Sequence, residues 1–397
     1  MSPKHTFALP KDLENLRTLA RRAISPITPD IRNRARDSGF WLASKRTNAG
    51  RKLPPYYLVY FLFVDLLQFP QMGRWEKVAW SVPIDFNGET YTIEHRKFGL
   101  GLFTTDPDGH EEAARRIVSL VRRGVALAEP FFEWLASTAV HDSKLNVVNH
   151  ASWLFERYRY LKGRHDVAEA EVEARKHERR EEVQQIGGTT IASVSTPSYE
   201  LMQHARWVAL AAIDAFFSWT EHLFVHLAIL QGHITTGEQV AEIAGAEWQT
   251  KFKTALDVNK PDTKKHFDKL IVIRQQLRNF TAHGAFGKRG EAFQFHSGAG
   301  AVPVLLIDRP GHGHFALSTD PEFAEATALQ MIEDFIIHLW SGARAPARIY
   351  LEDYSLPTIL TMASDGTYAA SMKSVDEMEE FVGRLVRGFD NMANMDW

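Results

Sequence analysis

The residues best suited to chemistry stand together at 273–284, in the string IRQQLRNFTAHG. His283 has the side chain whose ordinary pKa lies nearest neutrality, so it can take and return a proton. Arg278 and Arg274 hold permanent charges on planar forks that match phosphate oxygens. Asn279 offers an amide that can orient an imidazole or a phosphate. Such a set suits RNA cleavage without a metal: the ribose 2′-hydroxyl attacks the adjacent phosphorus, the histidine moves the proton, and the arginine stabilises charge on the phosphorane.

The elements around the string must position it. Residues 263–283 read as one helix, with Asp262 or Thr263 as its cap and Gly284 as its stop. Asn279 and His283 are four apart and share a face, as do Arg274 and Arg278. Arg278 and His283 are five apart, about 140° around an ideal helix, so they must flank a cleft or pair with a second copy. The competing reading is that Arg278 and His283 only cap the helix end, where cations suit the dipole. Residues 199–231 form the longest helical stretch, and 321–342 form a further helix ended by Gly342. Between them, 238–258 reads as one helix. A glycine-rich insertion at 285–320 carries a strand-like VPVLLI core.

The run Arg278-Asn279-Phe280-Thr281-Ala282-His283 resembles the R-N-x-x-x-H signature of HEPN domains. The long helix at 209–228, the motif some fifty residues later and the closing helix at 322–341 follow the same order. The resemblance covers about 199–343 and implies a helical bundle with metal-independent endoribonuclease activity. It assigns Arg278, Asn279 and His283 to the catalytic set. From the residues themselves, Arg274 on the stripe of Arg278 is read as support, and so is Glu221 on the long helix, which could orient His283 or pair with Arg278, with Asp214 as the other choice. The resemblance implies an RNA substrate, a homodimer, 2′,3′-cyclic phosphate products and a bacterial defence or toxin setting. An inhibitory or activating protein partner is expected with it. A long insertion directly after the motif departs from the family pattern. Some family members lack nuclease activity, which leaves a non-catalytic interaction or RNA-binding module as the alternative.

Elsewhere the sequence sets bounds. The 397 residues carry 46 Lys and Arg against 49 Asp and Glu, a net charge of −3, which excludes a uniformly basic coat but leaves room for a local one. With no cysteine, disulfides, iron–sulfur clusters and thiol nucleophiles are excluded. No cofactor or metal is expected: His222 and His226 lack a third ligand, His312 and His314 lie in a glycine-rich stretch, and FGLGLF lacks the rest of a dinucleotide site. No apolar segment of signal or membrane type is recognised, so the reading is a cytoplasmic protein without membrane contact.

The most basic window is 17–52, with ten Lys or Arg against two Asp. Within it Arg32, Arg34, Arg36, Lys45 and Arg46 are candidate RNA contacts. The fold class is α+β and multidomain. An α/β region, sensing a signal or contacting RNA, occupies 1–150. A charged helix and linker fill 151–198, with the main boundary at the GGTTIASVSTP connector. The HEPN-like domain spans 199–343, and a small α+β unit at 344–397 has RIYLEDY and TYAASM as strands. In the first region a short helix at 11–24, a hairpin at 76–104 turning on Asn87-Gly88, and a helix at 110–139 divided by Pro130 are expected.

Overall fold

In the computed structural model of the protein, the residues described are 10–186, 189–278, 294–295, 304–306, 315–316 and 324–395. The class is α+β, with helix predominating. The chain divides into two compact units, one made of Met1–Asp142 with Gly383–Trp397, the other of Ser143–Val382.

The first unit is built on a five-stranded antiparallel sheet. Its strands are β1 (Thr28–Pro29), β2 (Lys45–Arg46), β3 (Val78–Phe86), β4 (Glu89–Arg96) and β5 (Gly99–Thr104), in the order β1-β3-β4-β5-β2. Phe86 faces Glu89 across the turn, and Asn87 and Gly88 both take positive φ, 56° and 88°. That is the conformation an Asn-Gly pair adopts at least cost. One face of the sheet presents Trp80, Val82, Ile84, Tyr91, Ile93 and Leu102 to the core. The other face buries polar groups instead: Thr92 donates to Glu94 at 2.7 Å, and so does Arg96, whose guanidinium lies 3.8 Å over Phe103.

The helices of its N-terminal segment are α1 (Lys11–Ile24), α2 (Ser38–Ala43), α3 (Tyr56–Tyr60), α4 (Glu111–Leu127) and α5 (Glu129–His141), and the end of the last helix, from Gly383, belongs to the same unit. Ile117 and Val121 of α4 join the core with Leu62 and Phe63, which follow α3 in a π-helical turn. Gly124 is required there, because a Cβ would stand 2.6 Å from Ile24. Pro130 occupies the first turn of α5, so the expected division of the long helix falls two residues ahead of it, at Ala128.

The second unit opens with strand β6 (Asn146–Val147) and helix α6 (Ala151–Arg175). Then come the hairpin β7 (Arg180–Ile186) with β8 (Thr189–Ser195), and helix α7 (Pro197–Leu230). The connector reading of 187–197 gives way to a strand. Alternating Thr, Ile and Val suit extended backbone, and β7 supplies its hydrogen-bonding edge. The single helix expected at 238–258 is two, α8 (Gly237–Gly245) and α9 (Trp248–Ala255), parted by the extended Ala246 and Glu247.

Helix α10 (Pro261–Leu277) begins after Lys260 rather than on an Asp262 or Thr263 cap; the Thr263 hydroxyl meets His338 Nε2 at 3.1 Å. Strands β9 (Gln294–Phe295), β10 (Val304–Leu306) and β11 (Phe315–Ala316) form a small antiparallel sheet, and helix α11 (Glu325–Leu339) follows. Next are α12 (Ala345–Arg348), β12 (Thr358–Ile359), α13 (Leu360–Ser364), α14 (Thr367–Ser371) and α15 (Val375–Asn394). The two strands expected in RIYLEDY and TYAASM are therefore helical. Tyr350 and Tyr368 explain the apolar alternation: both are buried and their hydroxyls meet at 3.0 Å.

Helix α7 is long and apolar enough to cross a membrane, yet 67% of its apolar window is buried inside the fold. From Ala209 onward it packs against α6, α9, α10 and α11. Trp219, Trp248, Phe216, Phe224, Phe252 and Phe335 fill the space between them. Because α7 meets neighbours on several sides, it is apolar nearly all round. The charge-dense helix α6 is no free arm. Neighbouring opposite charges such as Lys162 with Asp166 line its wet side, while Tyr158, His165 and Ala168 are buried.

Candidate functional site

Within the second unit, α7, α9 and α10 line an open cavity of about 660 Å³, with α6 and α8 at its margin. Helix α7 contributes Asp214, Ser218, Glu221, His222 and Val225, which recur at the spacing of one helical face. Lys251 comes from α9, Arg274 from α10, and Arg278 from the residue just past its end. The two arginines thus share one wall, as their four-residue spacing requires.

Glu221 is the hub of this wall. Lys251 Nζ donates to its Oε1 at 2.9 Å and Arg274 Nη2 to its Oε2 at 3.2 Å. Lys251 is 5% exposed. A buried ammonium needs a counter-charge, and Glu221 supplies it. Arg274 lies 5.7 Å from the Trp248 ring and 5.9 Å from the Phe217 ring. Burial lowers its pKa from the ordinary arginine value; Glu221 opposes that shift and Arg278 adds to it. The expected support of Glu221 therefore goes to Lys251 and Arg274. Asp214 lies 3.8 Å from Arg157 of α6 instead.

A chain of histidines forms the neighbouring wall. The His150 backbone N–H donates to His222 Nε2 at 2.8 Å, and the same nitrogen is 3.1 Å from His226 Nε2. His222 Nε2 accepts from His150, so its ring hydrogen sits on Nδ1; the His226 ring meets the Thr358 hydroxyl through Nδ1 at 2.9 Å. Both rings are neutral in this arrangement. Burial, with His150 and then Lys251 nearby, pushes His222 down to about 4. Burial together with His222 pushes His226 down to about 3. Among the described residues, no group of three His, Cys, Asp or Glu is arranged to hold a metal.

Arg278 is exposed and lines the cavity. Asn279 and His283, the other two residues of the expected catalytic set, lie outside the described residues, as do His312 and His314. Sequence reasoning missed Lys251, His150 and Thr358. Lys251 did leave a signal: with Trp248, Phe252 and Ala255 it occupies the apolar face of its helix, and a lysine there calls for a carboxylate.

The five expected RNA contacts lie in the first unit. Arg32 and Arg36 are exposed beside a short 3-10 turn. Arg34 Nη1 donates to the Gly88 carbonyl at 2.9 Å and holds the β3–β4 turn. Lys45 is exposed on β2, whereas Arg46 donates to the Leu100 carbonyl. Burial lowers the Arg46 pKa, with Arg51 and Arg96 pushing the same way. The FGLGLF string is the edge and body of β5, not a phosphate loop.

No family model, curated protein or solved structure matches the chain.

Proposed function

We propose that the second unit is an endoribonuclease of HEPN type that cuts RNA without a metal. The observation that carries the reading is the place of Arg278, exposed on a cavity whose other cations, Lys251 and Arg274, are already held by Glu221. Among the described residues Arg278 is thereby the exposed cation of this wall outside the Glu221 network, and Asn279 and His283 follow it in the chain. The order of a long core helix, a helix ending at the motif and a closing helix supports the same reading.

In the proposed reaction His283 takes the proton of a ribose 2′-hydroxyl. The 2′-oxygen bonds to phosphorus and the bond from phosphorus to the 5′-oxygen breaks, with a proton returned to that leaving oxygen. Arg278 faces the non-bridging oxygens as charge builds on them. The products carry a 2′,3′-cyclic phosphate and a 5′-hydroxyl. A homodimer that pairs two motifs, a protein partner restraining the enzyme, and a defence or toxin role in the cytoplasm belong to the same proposal. The test is digestion of RNA by the purified chain with chelator present, comparing the wild type with Arg278→Ala and His283→Ala. Intact RNA under every condition, with the wild type fully folded, removes the enzyme reading.

One observation favours a second reading. The Lys251–Glu221–Arg274 group is a satisfied ion network that ties three helices. If the wall is only structural, Arg278 grips phosphate without catalysis, and His283→Ala leaves RNA affinity unchanged.

A further inference from the structure

The first unit carries a second cationic feature, which none of the candidate RNA contacts at 32–46 enters. Helix α4 and the 3-10 turn Ala49–Lys52 form a groove of about 400 Å³. Arg115, Ser119 and Arg122 line it from α4 at the spacing of one helical face, and Lys52 lines it from the turn. α4 and this turn together hold six Lys and Arg, at 51, 52, 115, 116, 122 and 123, against Glu111 and Glu112.

The acids here are largely committed. Glu111 accepts the backbone N–H groups of Asn48 and Ala49 at 3.0 and 2.8 Å, and it stands at 4.0 Å from Arg115. Glu112 pairs with Arg116 at 3.0 Å. Arg122 donates through Nε and Nη2 to the Lys52 carbonyl, at 3.2 and 2.7 Å. Those two hydrogen bonds fix the guanidinium and leave its Nη1 hydrogens for a ligand.

We infer that this groove binds the phosphate backbone of single-stranded RNA. Arg115 and Arg122 are seven residues apart, about 10 Å along the helix. Cations at that spacing along a groove match consecutive phosphates of an extended strand. A membrane surface would require apolar side chains beside the cations. The exposed positions of α4 are Glu112, Arg115, Arg116, Ser119, Arg122, Arg123 and Ala126, with no large apolar side chain among them, and the surface is concave. The inference deepens the RNA reading given above, placing strand capture in the first unit and rupture of the bond in the second.

The test uses the full chain carrying Arg278→Ala, so that cleavage does not consume the probe. Anisotropy of a labelled single-stranded RNA of about 20 nucleotides is followed against salt. Lys52→Glu with Arg115→Glu should weaken binding about tenfold or more and reduce the salt slope by about 1.4, or 0.7 for each lost phosphate contact. Lys52→Gln with Arg115→Gln should show the same direction with a smaller loss. Lys264→Glu with Lys373→Glu makes the same charge change elsewhere and should leave affinity within about twofold. Equal loss in both charge-reversal pairs overturns the inference. So does a loss confined to phosphatidylserine vesicles with RNA binding intact. RNA affinity that depends on Lys52 and Arg115, in a protein whose wild type never cuts RNA, keeps the groove and removes the nuclease reading. Cleavage with unchanged affinity does the reverse.

Discussion

The two cationic features of this protein obey different physics. On α4 the arginines stand in water, where a charge costs nothing to keep and little is gained by pairing it. On the cavity wall of the second unit Lys251 is buried, so its charge is tolerated only with Glu221 beside it. The first arrangement leaves cations available to a ligand. The second spends them on the fold and leaves Arg278 at the edge of the wall. The difference teaches that counting basic residues does not locate a phosphate site; what matters is which cations are already answered.

The largest way to break this contrast is to remove the core that buries the network. Trp248→Ala should cost about 3–5 kcal/mol. Its indole N–H donates to Thr220 at 2.9 Å, and its ring packs on Phe217, Phe224 and Phe252. A thermal melt that shifts by less than a degree would contradict the packing.

Glu221→Ala should come next, at about 1–3 kcal/mol. The upper range for a broken buried pair is discounted because the Glu221 side chain is 37% exposed. Lys251→Met sharpens the test: it removes the buried charge, leaves Glu221 to Arg274, and should cost less than Glu221→Ala. The reverse order in denaturant titrations would show that Lys251 is more than a neutralised core residue.

Acid gives a smaller, graded effect. His222 and His226 titrate at about 4 and about 3 in the folded protein, below the ordinary histidine value of 6.5. As pH falls below 6.5 the unfolded chain takes up protons that the folded chain refuses, so stability drops with acid until the folded values are passed. Each histidine contributes up to about 1.4 kcal/mol per pH unit in that window. Replacing both by Gln should flatten the profile between pH 6.5 and 4, and an unchanged slope would refute the neutral pair.

Smallest of all, Lys52→Glu with Arg115→Glu should move stability by no more than about 0.5 kcal/mol, since both side chains are exposed. A large destabilisation would mean that the groove, too, is structural.

How far the sequence reveals this depends on the distance between partners. Asn87-Gly88 announced the hairpin and Pro130 the break between α4 and α5, because both act on their own backbone. The alternation in TYAASM misled, since Tyr368 is buried by a helical turn that starts after Gly366 at a positive φ of 85°. The charge pattern at 180–185 suggested helix, yet those residues pair with β8. Glu221 was legible as a candidate but its partners were not. Lys251 stands thirty residues on and Arg274 more than fifty, on separate helices that meet only through the aromatic core. His150 reaches His222 from seventy-two residues away, through a backbone N–H that any residue type supplies. The motif at 278–283 was visible as a string; Arg278 lines the cavity, and Asn279 and His283 lie outside the described residues.

The most direct measurement is digestion of single-stranded RNA by the purified protein in chelator, with the fragment ends mapped for wild type, Arg278→Ala and His283→Ala. The predicted result is 2′,3′-cyclic phosphate ends from wild type, with both variants silent but folded. Cleavage that persists in Arg278→Ala, or RNA left whole by wild type that still binds it, would contradict the assignment of Arg278 to the reacting phosphate.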